Sequence, residues 1–474
     1  MYYKHLALLF FLLAGFSTFA QQGWTLQQCI DRALQYNIQV KQSSLNNDLN
    51  HVQVKQNTAA FLPSLNGAAT QNYYFGRSID PYTNIFTTQQ VRSNSFSLNS
   101  SITLFEGLQL QNSLKESKLN YLASQNDLKK IQNDISINVV NYFLQVMYNE
   151  ELLRTTTEQY DAIVIQRDRT KRMYELGSVN KGSYLDLESQ VASEEVNVIQ
   201  AQSAYDQALL SLTQLLELDT VSDFKIVKPE VPMPAYDSSQ MQIGSIYHLA
   251  LQTQPEIRSS EYKVHSAAKS LSIARGAAYP RLYLSGSIST NYSTSSKDIS
   301  YVSLPPSSEI SGYTSAGDTV YTFVPNVLTS ISDRKFSDQL DDNLGKSVGF
   351  TLQIPIFNGW STKSNISRAR INLEQSKLND ELTRKNLYKS VQQAVADALS
   401  AYKKYNASIR SVEALEETFN YNQQRLDLGL ISTYDYLISK NNLASAKASL
   451  LQAKYDYIFR MKILDFYQGK PLTF

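Results

Sequence analysis

Two unbroken stretches constrain the fold of this chain more than anything else in its sequence. Gly107 and Gly177 lie 70 positions apart with neither glycine nor proline between them, and Gly359 and Gly429 repeat that spacing. Both residue types punctuate helices, so each interval reads as one continuous helix of about 100 Å at 1.5 Å per residue. Shorter helices are predicted about Thr25 to Ala60 and Gly182 to Leu218 around the first, and about Ser245 to Ala278 and Thr433 to Phe466 around the second. Two short helices end to end match one long one, which predicts a long helix packed beside a stacked pair.

The spacing belongs to a wider internal duplication. Ala33-Leu34-Gln35-Tyr36-Asn37 recurs as Ala250-Leu251-Gln252-Thr253-Gln254, and Leu62-Pro63 as Tyr279-Pro280, at an offset of 217. Phe105-Glu106-Gly107 recurs as Phe357-Asn358-Gly359, and Leu176-Gly177 as Leu428-Gly429, at an offset of 252. The second copy carries the longer insertion between its strands. We divide the chain into residues 21–230 and 231–474 as two structural repeats. The seams are those of coiled-coil packing: Val391, Val395, Ala398, Tyr402, Tyr405, Ile409 and Val412 step by four and three, as do Leu187, Val191, Glu194, Val198, Ala201, Tyr205, Ala208, Leu212 and Leu215. Ordinary core packing explains such stripes locally.

Between the helices the period changes to two. Phe96, Leu98, Ile102 and Leu104 alternate with Ser97, Asn99, Ser101 and Thr103; Val348, Phe350, Leu352 and Ile354 alternate with Gly349, Thr351 and Gln353. That is the apolar-out, polar-in pattern of a transmembrane barrel strand. Strands are predicted about 64–74, 94–104, 282–292 and 346–356, long enough to cross a bilayer when tilted. The connections Phe75 to Arg92 and Ser293 to Leu344 read as long polar loops. A soluble sheet with one wet face would suit four isolated strands; export and the attached helices favour the membrane. Four strands leave two open edges, which a bilayer forbids, so protomers must pool their strands.

Export is written at the N-terminus. Lys4, an apolar run of 11 residues from Leu6 to Phe16 and small residues at Thr18 and Ala20 read as a signal peptide over residues 1–20, too short for a membrane anchor. The single cysteine, Cys29, follows Leu26-Gln27-Gln28, which does not suit lipoprotein processing; it reads as a buried structural thiol. Beyond Lys4, 43 basic residues balance 43 acidic ones (44 less one, against 43), so there is no electrostatic footprint for nucleic acid. His51, His248 and His265 show no metal-ligand spacing, and Gly177 to Ser183 lacks the lysine and the preceding strand of a phosphate-binding loop. We expect no enzyme activity, no metal and no cofactor. Tyr73, Tyr74, Tyr292 and Tyr301 are candidates for aromatic girdles at the membrane.

In order and spacing, seen twice, these features resemble the TolC, or outer membrane efflux protein, family. The carriers are the openings at Ala33 and Ala250, Pro63 and Pro280, Pro355-Ile356-Phe357-Asn358-Gly359 with its counterpart Leu104 to Gly107, and the tip glycines Gly177 and Gly429. The resemblance implies a mainly α chain with a membrane β-barrel portion: four barrel strands per protomer, a homotrimeric 12-stranded barrel in outer-membrane lipid, and long antiparallel coiled-coil helices forming a periplasmic tunnel. It implies an exit channel of a tripartite efflux or type I secretion system in the outer membrane of a Gram-negative bacterium. Its partners would be a periplasmic adaptor (membrane fusion) protein and an inner-membrane pump of RND, ABC or MFS type. By the same resemblance Leu176, Gly177, Ser178 and Val179 with Leu428, Gly429, Leu430 and Ile431 form the adaptor-docking tips, and Asp435, Asp427 and Ile438 line the periplasmic gate. Ile438 stands where the family's best-known member has a second acidic ring, and an aspartate opening a helix, as Asp435 does, is favoured there by the helix dipole alone. The alternative is a periplasmic coiled-coil adaptor or scaffold without channel activity; a general diffusion porin would need many more strands.

Overall fold

The computed structural model describes residues 23–79, 84–88, 90–219, 224–229, 232–234 and 241–472. The signal segment and the repeat boundary at 230–231 lie outside the described residues.

The two long intervals are single helices of 67 residues each, numbered here in chain order as α3 (Gln109–Glu175) and α8 (Ser361–Asp427). Each is followed after a short turn by a 35-residue helix, α4 (Lys181–Leu215) and α9 (Thr433–Tyr467). The other flanking helix is divided in both repeats. Instead of one helix over Thr25 to Ala60 there are α1 (Leu26–Tyr36) and α2 (Ile38–Ala59); instead of one over Ser245 to Ala278 there are α5 (Ile243–Thr253) and α6 (Pro255–Gly276).

The breaks fall at Asn37 and Gln254, the two ends of the duplicated opening. Pro255 forces its predecessor out of the helical region, so Gln254 is extended (φ −77°, ψ 125°) and its amide closes α5 on the Ala250 carbonyl at 2.9 Å. Asn37 reaches the same backbone without a proline: its amide donates to the Ala33 carbonyl, and its side-chain oxygen accepts from the Gln39 amide at 2.9 Å, capping α2. Both side chains are buried and tie the break to a helix end, Asn37 to the Leu215 carbonyl (3.4 Å) and Gln254 to the Phe466 carbonyl (3.3 Å).

One compact unit comprises the described residues within 23–52, 118–267 and 372–472, so each repeat contributes to it. Its core holds a cluster of Leu26, Cys29 and Ala33 from α1, Val139 and Phe143 from α3, and Leu212 from α4. A second cluster joins Ile246 and Ala250 to Val391 and Ala398, and a third joins Ile163, Leu187 and Val191 to Tyr436 and Leu437. The predicted seams are these contacts: every position of both seams is buried or half-buried. Cys29 is fully buried, and burial pushes its thiol up to about 12.

The second unit comprises residues 53–117 and 268–371. It holds a four-stranded antiparallel sheet of β1 (Ser64–Tyr74), β4 (Val91–Glu106), β5 (Arg281–Ser293) and β8 (Gly345–Gln353), in the order β1-β4-β5-β8. The strand expected to reach 356 stops at Gln353, because Pro355 has no amide to donate. The loops are more structured than expected. Phe75 to Arg92 contains the short pair β2 (Ser78–Ile79) and β3 (Phe86–Thr87). Ser293 to Leu344 contains a long hairpin, β6 (Lys297–Tyr313) with β7 (Thr319–Asp333), and the short helix α7 (Phe336–Asp342). Tyr301 therefore belongs to the hairpin and lies outside the four-stranded sheet.

Candidate functional site: the barrel sheet and the helix tips

The register of the sheet decides which side chains share a face. Leu65, Gly67 and Ala69 oppose Ser100, Leu98 and Phe96; Leu98 and Ile102 oppose Ile288 and Leu284; Leu284 and Leu282 oppose Phe350 and Leu352. Directly paired residues point to one side, so the apolar positions of all four strands form one face. The other face is a ladder of small polar groups: Asn66 opposite Asn99, Ser97 opposite Ser289, Asn99 opposite Ser287, and Ser287 opposite Ser347 with their hydroxyls 2.8 Å apart. A bulge between Thr103 and Phe105 takes up one residue, Leu104, near the helical end.

Among the described residues nothing covers the apolar face at its β8 edge: Val348, Phe350 and Leu352 are 78, 69 and 60% exposed. In water that uncovered row would be a liability; against lipid it is satisfied. Among the described residues no helix is long and apolar enough to cross a membrane, so these strands are the elements suited to the bilayer. β1 and β8 are sheet edges, each with one row of backbone groups lacking a strand partner.

The tips are built alike. Gly177 (φ 74°) and Gly429 (φ 72°) take the left-handed conformation that ends a helix and reverses the chain. The amides of Gly177 and Ser178 return to the carbonyls of Tyr174 and Met173 (2.9 and 2.8 Å), and those of Gly429 and Leu430 to Leu426 and Arg425 at the same distances. The next helix then starts on a capping side chain: Asn180 accepts from the Ser183 amide at 2.8 Å, and Ser432 from the Asp435 amide at 3.1 Å. Leu176, Leu428 and Leu430 are exposed, Ser178 is exposed, and Val179 and Ile431 are half-buried, Ile431 against the third core cluster. Two turns thus present aliphatic side chains to solvent on hydrogen-bonded backbone.

Of the gate candidates, Asp435 is exposed at the third position of α9, where the Ser432 hydroxyl donates to its carboxylate at 2.7 Å. Ile438 lies one turn on and is also exposed. Asp427 closes α8 and stands 4.0 Å from the Arg169 guanidinium of α3; its negative charge and burial both push the Tyr436 hydroxyl up, burial more. Sequence reasoning missed Lys440. It is half-buried, desolvation lowers its pKa, and the opposing pull comes from Glu194. Glu194, the polar position in the α4 seam, is buried and accepts from Gln190 (2.9 Å) and Asn197 (3.1 Å). It borders a cavity of about 400 Å³ with Thr155, Gln159 and Asn441. Its place in a seam was the available signal; its partner sits on another helix, which no local pattern reveals.

The fold has close relatives among solved structures. A structure of CusC superposes with a TM-score of 0.73 over 96% of this chain and 96% of that one at 20% identity, and the outer membrane protein VceC from Vibrio cholerae with a TM-score of 0.73 over 94 and 97% at 14% identity. In sequence, the cation efflux system protein CusC of Escherichia coli (strain K12) is 24% identical over 456 residues, covering 93% of this chain and 85% of the relative. The family model for the outer membrane efflux protein matches residues 29–217 and 246–465, one segment in each repeat. Both segments bring with them the long helices, the paired strands and the glycine tips just described, and the chain belongs to the outer membrane efflux protein family.

Proposed function

We propose that three copies of this chain close one barrel of twelve strands and serve as the passive exit duct of a tripartite export system. The carrying observation is the four-stranded sheet with two open edges and an uncovered apolar face. β8 runs antiparallel to β5 and β1 antiparallel to β4, so β8 of one copy meets β1 of the next antiparallel, and the alternation continues around a closed ring. The small polar ladder then faces the lumen and the apolar row faces lipid. The helical tips take a periplasmic adaptor through Leu176 to Val179 and Leu428 to Ile431, and an inner-membrane pump of RND, ABC or MFS type supplies the energy through it. Asp435, Asp427 and Ile438 line the periplasmic entrance. Three Asp435 carboxylates converging on an axis repel one another and attract cations, which narrows the entrance to a selective constriction.

The test is the mass of the mature protein in detergent together with single-channel conductance in a planar bilayer. A trimer with a small, mostly closed conductance is expected. A monomer without conductance overturns the reading.

A further inference from the structure

The sheet order attaches two exposed apolar features to the opposite edge strands of one protomer. The β2–β3 loop joins β1, one edge strand, to β4; the β6–β7 hairpin, with α7, joins β5 to β8, the other edge strand. Both connections leave the sheet at the end opposite its junctions with α2 and α6, and α7 lies at the root of the hairpin. Phe75 is 76% exposed in the first, beside exposed Ile85 and Phe86; Phe323 is 74% exposed in the second, with exposed Tyr301 and Ile331.

A two-stranded ribbon in water is marginal by itself. This one is pinned at its root. Lys297 pairs with Asp333, and Arg334 with Asp298 and Asp342. The buried Gln339 amide donates to the carbonyls of Ser293 (3.1 Å) and Arg334 (3.0 Å) and accepts from the Ser293 amide (2.9 Å). The ribbon is tied at its root and carries exposed apolar side chains among its serines, Phe323, Tyr301 and Ile331 included. Its edges are poor docking strands, because Pro305, Pro306 and Pro325 interrupt both strands at one level and remove amide donors. Contact must therefore come through side-chain faces.

We propose that the occupant is a second copy of this chain: the hairpin of one protomer packs its apolar side chains on the β2–β3 loop of the next. The inference rests on the trimeric reading above. In a closed ring β8 of each copy abuts β1 of its neighbour, so the connection that enters β8 comes beside the connection that leaves β1. The contact continues the strand seam beyond the bilayer. Hairpin meets loop rather than hairpin meeting hairpin, and a head-to-tail contact of that kind closes only as a ring. The short loop of the first repeat and the long hairpin of the second are then the two halves of one joint, which accounts for the unequal insertions of the duplicated halves.

Cysteine pairs test this in a Cys29→Ala background, with Phe86→Cys on the loop combined in turn with Tyr301→Cys, Phe323→Cys and Ile331→Cys on the hairpin. The purified protein is sized in detergent, treated with a short bis-maleimide and run on a denaturing gel. At one or more hairpin heights most of the chain is expected to move into covalent dimers and trimers, while each single-cysteine variant stays monomeric on the gel. A protein that is trimeric by mass and gives no ladder at any of the three heights overturns the proposal alone, and assigns the hairpin to lipid or another partner. A protein that is monomeric by mass removes the trimeric reading and the proposal with it.

Discussion

The Ser432 hydroxyl donates to the Asp435 carboxylate at 2.7 Å while the Asp435 amide donates back to Ser432 Oγ at 3.1 Å, so the proposed gate residue also caps its own helix. The two roles can be separated because the first repeat has solved the cap without the charge: Asn180 and Ser183 hold the positions equivalent to Ser432 and Asp435, 252 residues earlier.

Asp435→Ser should therefore keep the start of α9 intact, with stability within about 0.5 kcal/mol of the parent, since a surface change away from a lost cap costs little. It should raise open-channel conductance and weaken cation preference in a planar bilayer. Ser432→Ala should do the reverse, costing about 1 kcal/mol in thermal or denaturant unfolding with conductance near the parent value. Equal conductance in both variants removes Asp435 from the gate and leaves it as a cap.

A second contrast between repeats concerns the ends of α4 and α9. Glu217 (φ 52°) and Gly469 (φ 77°), again 252 residues apart, end the two helices in the same left-handed conformation. The amide of the following residue returns to Thr213 in the first case and to Asp465 in the second. A side chain with a Cβ is strained there and glycine is not. Glu217→Gly should stabilise the protein by about 0.5–1 kcal/mol, read as a shift in the denaturant midpoint. The hydrogen bond from Arg32 to this residue uses the Glu217 carbonyl and survives the change.

Much of this fold was legible because its rules are local. Glycine and proline placement marked the 67-residue helices to within two residues at each end, and the period-two alternation put Phe96, Leu98, Leu284 and Phe350 on the face that the strand register then assembled. The break at Gln254 was written in Pro255, but the matching break at Asn37 depends on where an asparagine side chain turns, and both were read through as helix. In sequence the β6–β7 hairpin reads as a polar loop, because its serines and three prolines mask strands that, among the described residues, pair with each other. Lys440 and Glu194 met across two helices, a relation with no sequence spacing to betray it.

Cys29 offers a test of the α1 packing. It is fully buried beside Ala33 and Val139, and burial pushes its thiol up to about 12, so little thiolate exists near neutral pH and none of it meets solvent. A maleimide at pH 7.5 should leave the native protein unlabelled for hours and modify it fully once denatured. Cys29→Ser should cost about 1–3 kcal/mol by burying a hydroxyl in an apolar cluster. Rapid labelling of the native protein would show that α1 opens.

Glu256 makes the stability of the helical unit depend on pH in a defined direction. It sits in the first turn of α6 with its carboxyl half-buried, and desolvation raises its pKa against the lowering effect of a backbone amide and of Lys130. The charged groups around it are Lys130 and Asp134 on α3, Asp127 and Lys263 beside the same cavity, and Asp380 on α8. Its folded-state pKa lies above the unfolded value, so the folded state binds the proton more tightly. Ionised Glu256 therefore subtracts stability at pH above its folded pKa, and that penalty disappears as pH falls through it. Glu256→Gln should stabilise the protein at pH 7–8 by less than about 1 kcal/mol, because solvent screens a carboxyl that is only half-buried. The gain should fade as pH falls toward about 4 and vanish below it, where the parent carboxyl becomes protonated in both states. Melting temperatures of parent and variant measured across that range decide it: a gain that grows on acidification would mean that attraction to Lys130, not desolvation, governs this carboxyl.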